Sequence, residues 1–289
     1  MDLLRRDDEP GEEPREEPGR VWGLALGILV ALASIAVIYY VLVVKKPKAP
    51  VAAAPAATPA VQSEKEQPPA APGLEPLAFP AVSLAASDGA VRQFAAVMSA
   101  NPEFAKWLLT KDLIRTFVVS VDNVANGLSP KGHIDFFSPQ GGFRVLRTKT
   151  GTVVDPAGYA RYVPVADVVR SLDAAAAARL YRAVEPLLQD AYNELGYPGV
   201  RFDDTLVKAM AEMLETPVVN GPIRLASKVL SYAMTDETLE ALSPAQKQLL
   251  RLGPKGVEAV QAKIRETAAL LGISAARLPA SRTYTPAAK

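Results

Sequence analysis

The sequence contains no cysteine and a single histidine, His133. The missing thiols exclude disulfides, cysteine nucleophiles, cysteine-ligated zinc and iron–sulfur clusters. One imidazole excludes zinc sites built on several histidines and leaves a single residue, in the loop SPKGHIDFF, for any histidine-dependent step. The chain also lacks a Walker loop, a G-x-G-x-x-G, a G-x-S-x-G elbow, an H-E-x-x-H and an S-x-x-K, so the common phosphate-cradling and nucleophile motifs are absent. What is abundant is apolar residues, at 49%, and proline, with 25 residues in 289. That apolar share is ample for a packed core in one large domain or two ordinary ones.

The formal net charge of +1 averages over unlike regions. Residues 1–20 carry eight acids against four bases, are spaced by prolines and show no apolar period. Such a tail buries too little apolar surface to offset its ordering entropy and is expected to be disordered. Val21 to Val44 then runs without a charge, with Trp22, Tyr39 and Tyr40 toward its ends. At 1.5 Å per residue a helix of this length spans roughly 36 Å, against a hydrocarbon core of about 30 Å, and the aromatics suit the two interfaces. A transmembrane helix over 21–44 is the expectation; the apolar core of a cleaved signal peptide is shorter.

Orientation rests on a near tie. Arg5, Arg6, Arg15 and Arg20 precede the span, and Lys45, Lys46, Lys48 and Lys65 follow it. The short leading tail and large following region favour the N-terminus inside and the C-terminal domain outside, as in a periplasmic domain held at a bacterial inner membrane. Residues 45–80 are rich in proline and alanine, which reads as a semi-rigid linker with partial polyproline-II character. It would hold the domain tens of ångströms from the bilayer.

Residues 81–276 read as a mainly α domain with a minor β-hairpin. Helix starts are marked by Asp88, Asn101-Pro102, Thr110, Asp155-Pro156, Asp173, Asp203 or Asp204, and the capping box Ser243-Pro244-Ala245-Gln246. Gly127, Gly196, Gly253 and Gly272 mark ends. Pro186 is expected to kink or split the helix that Asp173 begins. Phe143–Asp155 carries two β-prone runs around Thr150-Gly151, and Ile223 to Met234 offers a further extended segment. Residues 277–289 read as a flexible tail.

Three groups of residues could carry recognition. On a helical wheel, Asp112, Arg115, Thr116, Asp122, Asn123 and Asn126 form a polar stripe opposite Leu113, Ile114, Phe117, Val121 and Val124. That stripe reads either as a binding surface or as a solvated face with a weak Asp112–Arg115 pair. Tyr159, Arg161 and Tyr162 lie within one turn, where they could stack on a ligand or tie a short helix to the core. From Lys247 onward eight bases face two acids; this patch could meet an anionic surface or complement helix C-termini. Asp203-Asp204 could pair with Asp112 or Asp122 for acid–base chemistry, although two acids at a helix start ordinarily complement its dipole.

The runs DLIRTFVVSVDNVANG, DPAGYARY, LLQDAYNELGYP, FDD at Phe202–Asp204 and ALSPAQKQLLRLGP resemble the bacterial family called domain of unknown function 3014. The resemblance covers roughly residues 80–270. It implies a membrane anchor, a proline-rich spacer and this domain, and it implies no activity, cofactor, metal or catalytic residue. The expected function is therefore a single-pass envelope protein whose domain binds a protein or cell-wall polymer, with no nucleic acid partner expected. The alternative is a hydrolase or transferase acting on such a polymer through paired carboxylates.

Overall fold

The computed structural model describes residues 74–130, 141–229 and 231–287. All of them fall in one compact unit, Lys65–Lys289. The acidic tail, the apolar span at 21–44, most of the linker and the His133 loop lie outside the described residues. Among the described residues no helix is long and apolar enough to cross a membrane.

The fold is mainly helical with a small antiparallel sheet. Two short helices, α1 (Asp88–Ala95) and α2 (Pro102–Trp107), precede the central helix α3 (Leu113–Ala125). A 3-10 helix, Pro156–Tyr162, leads into α4 (Val163–Ser171), followed by α5 (Ala174–Glu194) and α6 (Phe202–Leu214). Helices α7 (Glu237–Glu240), α8 (Pro244–Leu250) and α9 (Gly253–Leu270) complete the helical set. Strands β1 (Val145–Thr148), β2 (Gly151–Val154), β4 (Arg224–Ser227) and β5 (Tyr232–Met234) form one sheet in the order β1-β2-β4-β5, antiparallel throughout. Strand β3 (Val218–Val219) pairs in parallel with β6 (Thr283–Tyr284).

Apolar burial divides into two clusters. Val118 and Val121 of α3, Leu188 and Tyr192 of α5 and Phe202 and Met210 of α6 centre the first. Leu225 of β4, Leu239 of α7, Leu249 of α8 and Val257 of α9 centre the second. Helix α9 serves both, with Val257 in one and Ala268 in the other. Where α6 ends between them, the buried Gln261 carboxamide donates to the carbonyls of Met213, Leu214 and Thr216 at 3.3, 3.2 and 2.8 Å. They lie in and just beyond the last turn of α6, where carbonyls lack regular intrahelical donors and burial makes pairing matter.

Four caps stand where the sequence places them. Asn101 accepts from the Glu103 amide, Asp155 from Ala157, and Asp173 from Ala175 and Ala176. Ser243 and Gln246 close the reciprocal capping box. The Thr150-Gly151 hairpin also forms, but as half of the larger sheet, because Ile223–Met234 supplies β4 and β5 rather than one extended run.

Other expectations are corrected. Asp88 does not cap its own helix: its carboxylate accepts the amides of Asp112 and Leu113, both at 2.8 Å, and so caps α3 from a distance. Helix α3 accordingly begins at Leu113 rather than Thr110, with Asp112 in a left-handed conformation at φ 52°. Asp203 and Asp204 lie in the first turn of α6 without capping it; the Phe202 amide instead donates to the Gln189 carboxamide oxygen of α5 at 2.9 Å. Pro186 does not split α5, which runs unbroken from Ala174 to Glu194. Burial of Leu180, Val184, Leu188 and Ala191 on both sides of the proline holds the two halves together, offsetting a cost of about 3 kcal/mol.

Residues on both flanks of 81–276 make contacts with the helical core or sheet. Leu77 and Phe79, read as linker, pack on the first cluster, with the Phe79 and Phe94 rings 5.3 Å apart. The tail read as flexible carries β6. Within it, the Arg282 guanidinium donates to the Glu215 carbonyl and the Tyr284 hydroxyl to Asp236 at 2.8 Å.

Candidate functional site

The polar stripe of α3 is present, but it is engaged with the protein itself. The buried residues of α3 are Ile114, Val118, Ser120, Val121 and Ala125. This face is turned relative to the apolar face expected, toward Val118 and Ala125, so Phe117 is left 42% exposed. Arg115 forms a two-bond pair with Glu194 at the end of α5, at 2.7 and 3.1 Å, and a third bond to Asp112 at 3.1 Å. The Glu194 carboxyl is held below the ordinary range first by that hydrogen bond from Arg115. Asp122 accepts from the Asn126 amide, and Asn126 accepts from Lys208 of α6 at 3.3 Å. Asn123 is half-buried. These contacts fasten α3 to α5 and α6.

The four acids considered for paired chemistry are likewise held. Asp112 meets Arg115, Asp122 meets Asn126, and Asp204 meets Arg277 at 3.4 Å. Asp203 accepts the Tyr181 hydroxyl and the Arg201 guanidinium, both at 2.6 Å. Burial, then the Asp203 bond, pushes the Tyr181 phenol far above its ordinary value, and burial next to Asp203 raises the Glu185 carboxyl. Three bases of the basic C-terminal region bind carbonyls: Lys263 donates to Leu172, Arg265 to Pro279 and Arg282 to Glu215; Lys263 also pairs with Glu266, Lys247 with Glu240 and Arg277 with Asp204. Leu172 and Glu215 are helix C-caps, where a cation complements the dipole.

Tyr159, Arg161 and Tyr162 are placed differently. Asp155 caps the 3-10 helix that carries them and pairs with Arg144 at 2.8 Å, so this short helix is fixed at its start. Tyr162 is buried, while the Arg161 guanidinium lies 5.0 Å from the centre of its ring. Arg161 donates to the Gly141 carbonyl at 3.0 Å and to the Tyr162 hydroxyl at 3.4 Å, and its Nε is buried with no hydrogen-bond partner. The Tyr159 side chain packs against Gly253, where an added Cβ would come within 2.7 Å of Cδ2. Burial raises the Tyr159 hydroxyl above its ordinary value.

All three residues line a cleft of about 700 Å³. It is lined by this 3-10 helix with Phe143, Arg144 and Asp155, by the β4–β5 hairpin, and by Glu240, Lys247, Leu250 and Arg251. Ile223, Leu225, Met234 and Leu250 give it an apolar lining. Five cationic residues (Arg144, Arg161, Lys228, Lys247 and Arg251) line it with two acidic ones, Asp155 and Glu240. Both acids are engaged. Asp155 holds Arg144, and Glu240 accepts the Met234 amide at 3.0 Å and lies 3.4 Å from Lys247 and 3.9 Å from Lys228. The Met234 amide, with Lys247 assisting, holds the Glu240 carboxyl below its ordinary value. Neither Arg161 nor Arg251 has an acidic partner among the described residues; Arg251 bonds only the Gln248 carboxamide, at 2.8 Å.

None of Asp112, Arg115, Asp122 and Asn123 lines this cleft, so the structure does not unite the two candidate groups. The cleft also draws on residues that the sequence reading passed over: Phe143, Arg144, Lys228, Tyr232 and Glu240. The legible signal was Lys247 and Arg251, four residues apart and so on one face at the end of α8. On the far side of Tyr159 a second, mostly apolar groove of about 900 Å³ lies between Leu146, Val163 and the start of α9.

A family model described as protein of unknown function (DUF3014) matches residues 113–267. That range begins with α3, includes every residue lining the cleft and stops within α9. No curated protein and no solved structure matches the chain.

Proposed function

Since the chain belongs to the family called domain of unknown function 3014, whose description names no activity, we propose that it is a single-pass membrane-anchored envelope protein whose domain acts by binding. The uncharged run at 21–44 serves as the anchor. The proline- and alanine-rich segment after it carries the domain away from the bilayer, on the periplasmic side of a bacterial inner membrane. The cleft beside Arg161 is the recognition site.

One observation carries the binding reading. The cleft has the size of a ligand site and mixes apolar and charged walls, yet both of its carboxylates are tied into internal pairs. A general acid or base must be within reach of a substrate proton, whereas a recognition site needs only complementary shape and charge. Alkaline phosphatase fused to the C-terminus is expected to be active, and a fluorescent protein fused there dark; the reverse pair would place the domain in the cytoplasm. For the cleft itself, a photo-crosslinking residue at Tyr232 is expected to yield an adduct in intact cells that one at Thr116 does not. Equal adducts from both positions would remove the cleft as the recognition site.

A further inference from the structure

We infer that the cleft takes an acidic peptide segment in which carboxylates alternate with apolar side chains; the inference rests on the cleft being the recognition site. The charge balance sets the sign of the ligand. Arg161 and Arg251 lack acidic partners among the described residues, and Lys228 and Lys247 share the single carboxylate of Glu240. Arg161 is the most demanding of these, because its Nε is out of water with no acceptor, a state that a ligand carboxylate nearby relieves electrostatically.

The lining sets the rest of the chemistry. A ligand of charge alone would leave the half-buried Met234 and the exposed rings of Phe143 and Tyr232 uncovered. A neutral glycan would leave the cationic excess of the lining unmatched. The ligand also reaches past the cleft. Phe143 and Tyr232, with rings 5.9 Å apart, are 46% and 39% exposed at its wall, and Val229 at the hairpin tip is 98% exposed. A peptide running along this rim covers apolar residues that an isolated small anion would not.

Strand addition is not the mode of attachment. β5 is an edge of the sheet, but the Met234 amide is already donated to Glu240, which blocks the ladder there. The peptide is held through its side chains, carboxylates to Arg161, Arg251 and Lys228, and apolar groups to the cleft lining and rim.

The test uses the full-length chain in a nonionic detergent and fluorescence anisotropy of labelled short peptides. A peptide alternating Glu with Leu and Phe is expected to bind, and raised salt to weaken it. Arg251→Gln combined with Lys228→Gln is expected to weaken it about tenfold or more; both side chains are largely exposed, so the fold should survive, as circular dichroism would verify. Arg161→Gln should weaken binding as well, and Arg115→Gln on α3 should not. Equal binding of a Glu–Ser peptide, or equal competition by polygalacturonate, would show that charge alone is read and overturn the inference. So would Arg115→Gln acting as strongly as the cleft variants, or no binding at all. If the peptide fails while the Tyr232 adduct still forms in cells, the ligand class is wrong and the cleft stands. If both fail, the binding reading falls with it.

Discussion

Helix α3 and the 3-10 helix Pro156–Tyr162 each present arginine beside neighbours suited to recognition, and they use it in opposite ways. On α3, Arg115 is matched by Glu194 and Asp112, and Asn126 bridges Asp122 to Lys208. The charges there end on the protein's own acids. In the cleft, Arg161 meets a ring, a carbonyl and a hydroxyl, but no acid among the described residues. The difference is one of leftover charge. A polar stripe whose groups complete one another fastens helices, while a cationic excess over an apolar lining is open to a partner.

The largest expected effect falls on the cleft wall. Gly253 takes φ 71°, and a Cβ there would meet the Tyr159 ring at 2.7 Å. Gly253→Ala therefore combines backbone strain with overpacking and is expected to destabilise the domain by about 2–4 kcal/mol, read by urea denaturation followed by circular dichroism. A loss well under 1 kcal/mol would mean that Tyr159 moves freely and that the wall is softer than α3.

Next in size is the cap that Asp88 lends to α3. Asp88→Ala removes the acceptor for two amides at the helix start and is expected to cost about 1 kcal/mol, with peptide binding at the cleft unchanged. If binding fell along with stability, α3 would be coupled to the cleft and the separation drawn between the two would fail.

The same contrast decides what was legible in the sequence. Asn101, Asp155, Asp173 and Ser243 find their partners within three residues, so residue type and spacing sufficed to identify them. Asp88 and Gln189 cap helices 25 and 13 residues ahead, where one-dimensional spacing carries no signal. The α3 stripe was visible as a wheel pattern, but its meaning depended on Glu194, 79 residues away in sequence. Phe117 shows the limit of the wheel itself: packing against α5 and α6 turned the buried face toward Val118. The cleft was the least legible feature. Its walls come from the segments around Phe143, Arg161, Tyr232 and Lys247, and only the Tyr159–Tyr162 and Lys247–Arg251 runs looked notable alone.

The smallest expected effect is a pH dependence that separates two glutamates. Glu194 and Glu240 are both held below their ordinary value, the first mainly by the Arg115 guanidinium and the second mainly by the Met234 amide. A lowered carboxyl contributes stability that is fully present above its unfolded value and is lost as the pH falls through the folded one. Both contributions are therefore present in full near neutrality, where they make stability no function of pH, and vanish in the acid range below the ordinary glutamate value. They differ in what protonation leaves behind. Arg115 is exposed enough to return to water when its partner goes neutral, whereas the amide of the half-buried Met234 loses its charged acceptor at the edge of the sheet. Glu240→Gln is accordingly expected to flatten the acid side of the stability–pH curve more than Glu194→Gln. An equal flattening by Glu194→Gln would mean that the α3 pair carries as much of the fold as the cleft's own glutamate, and that an exposed, matched stripe is not the weaker of the two.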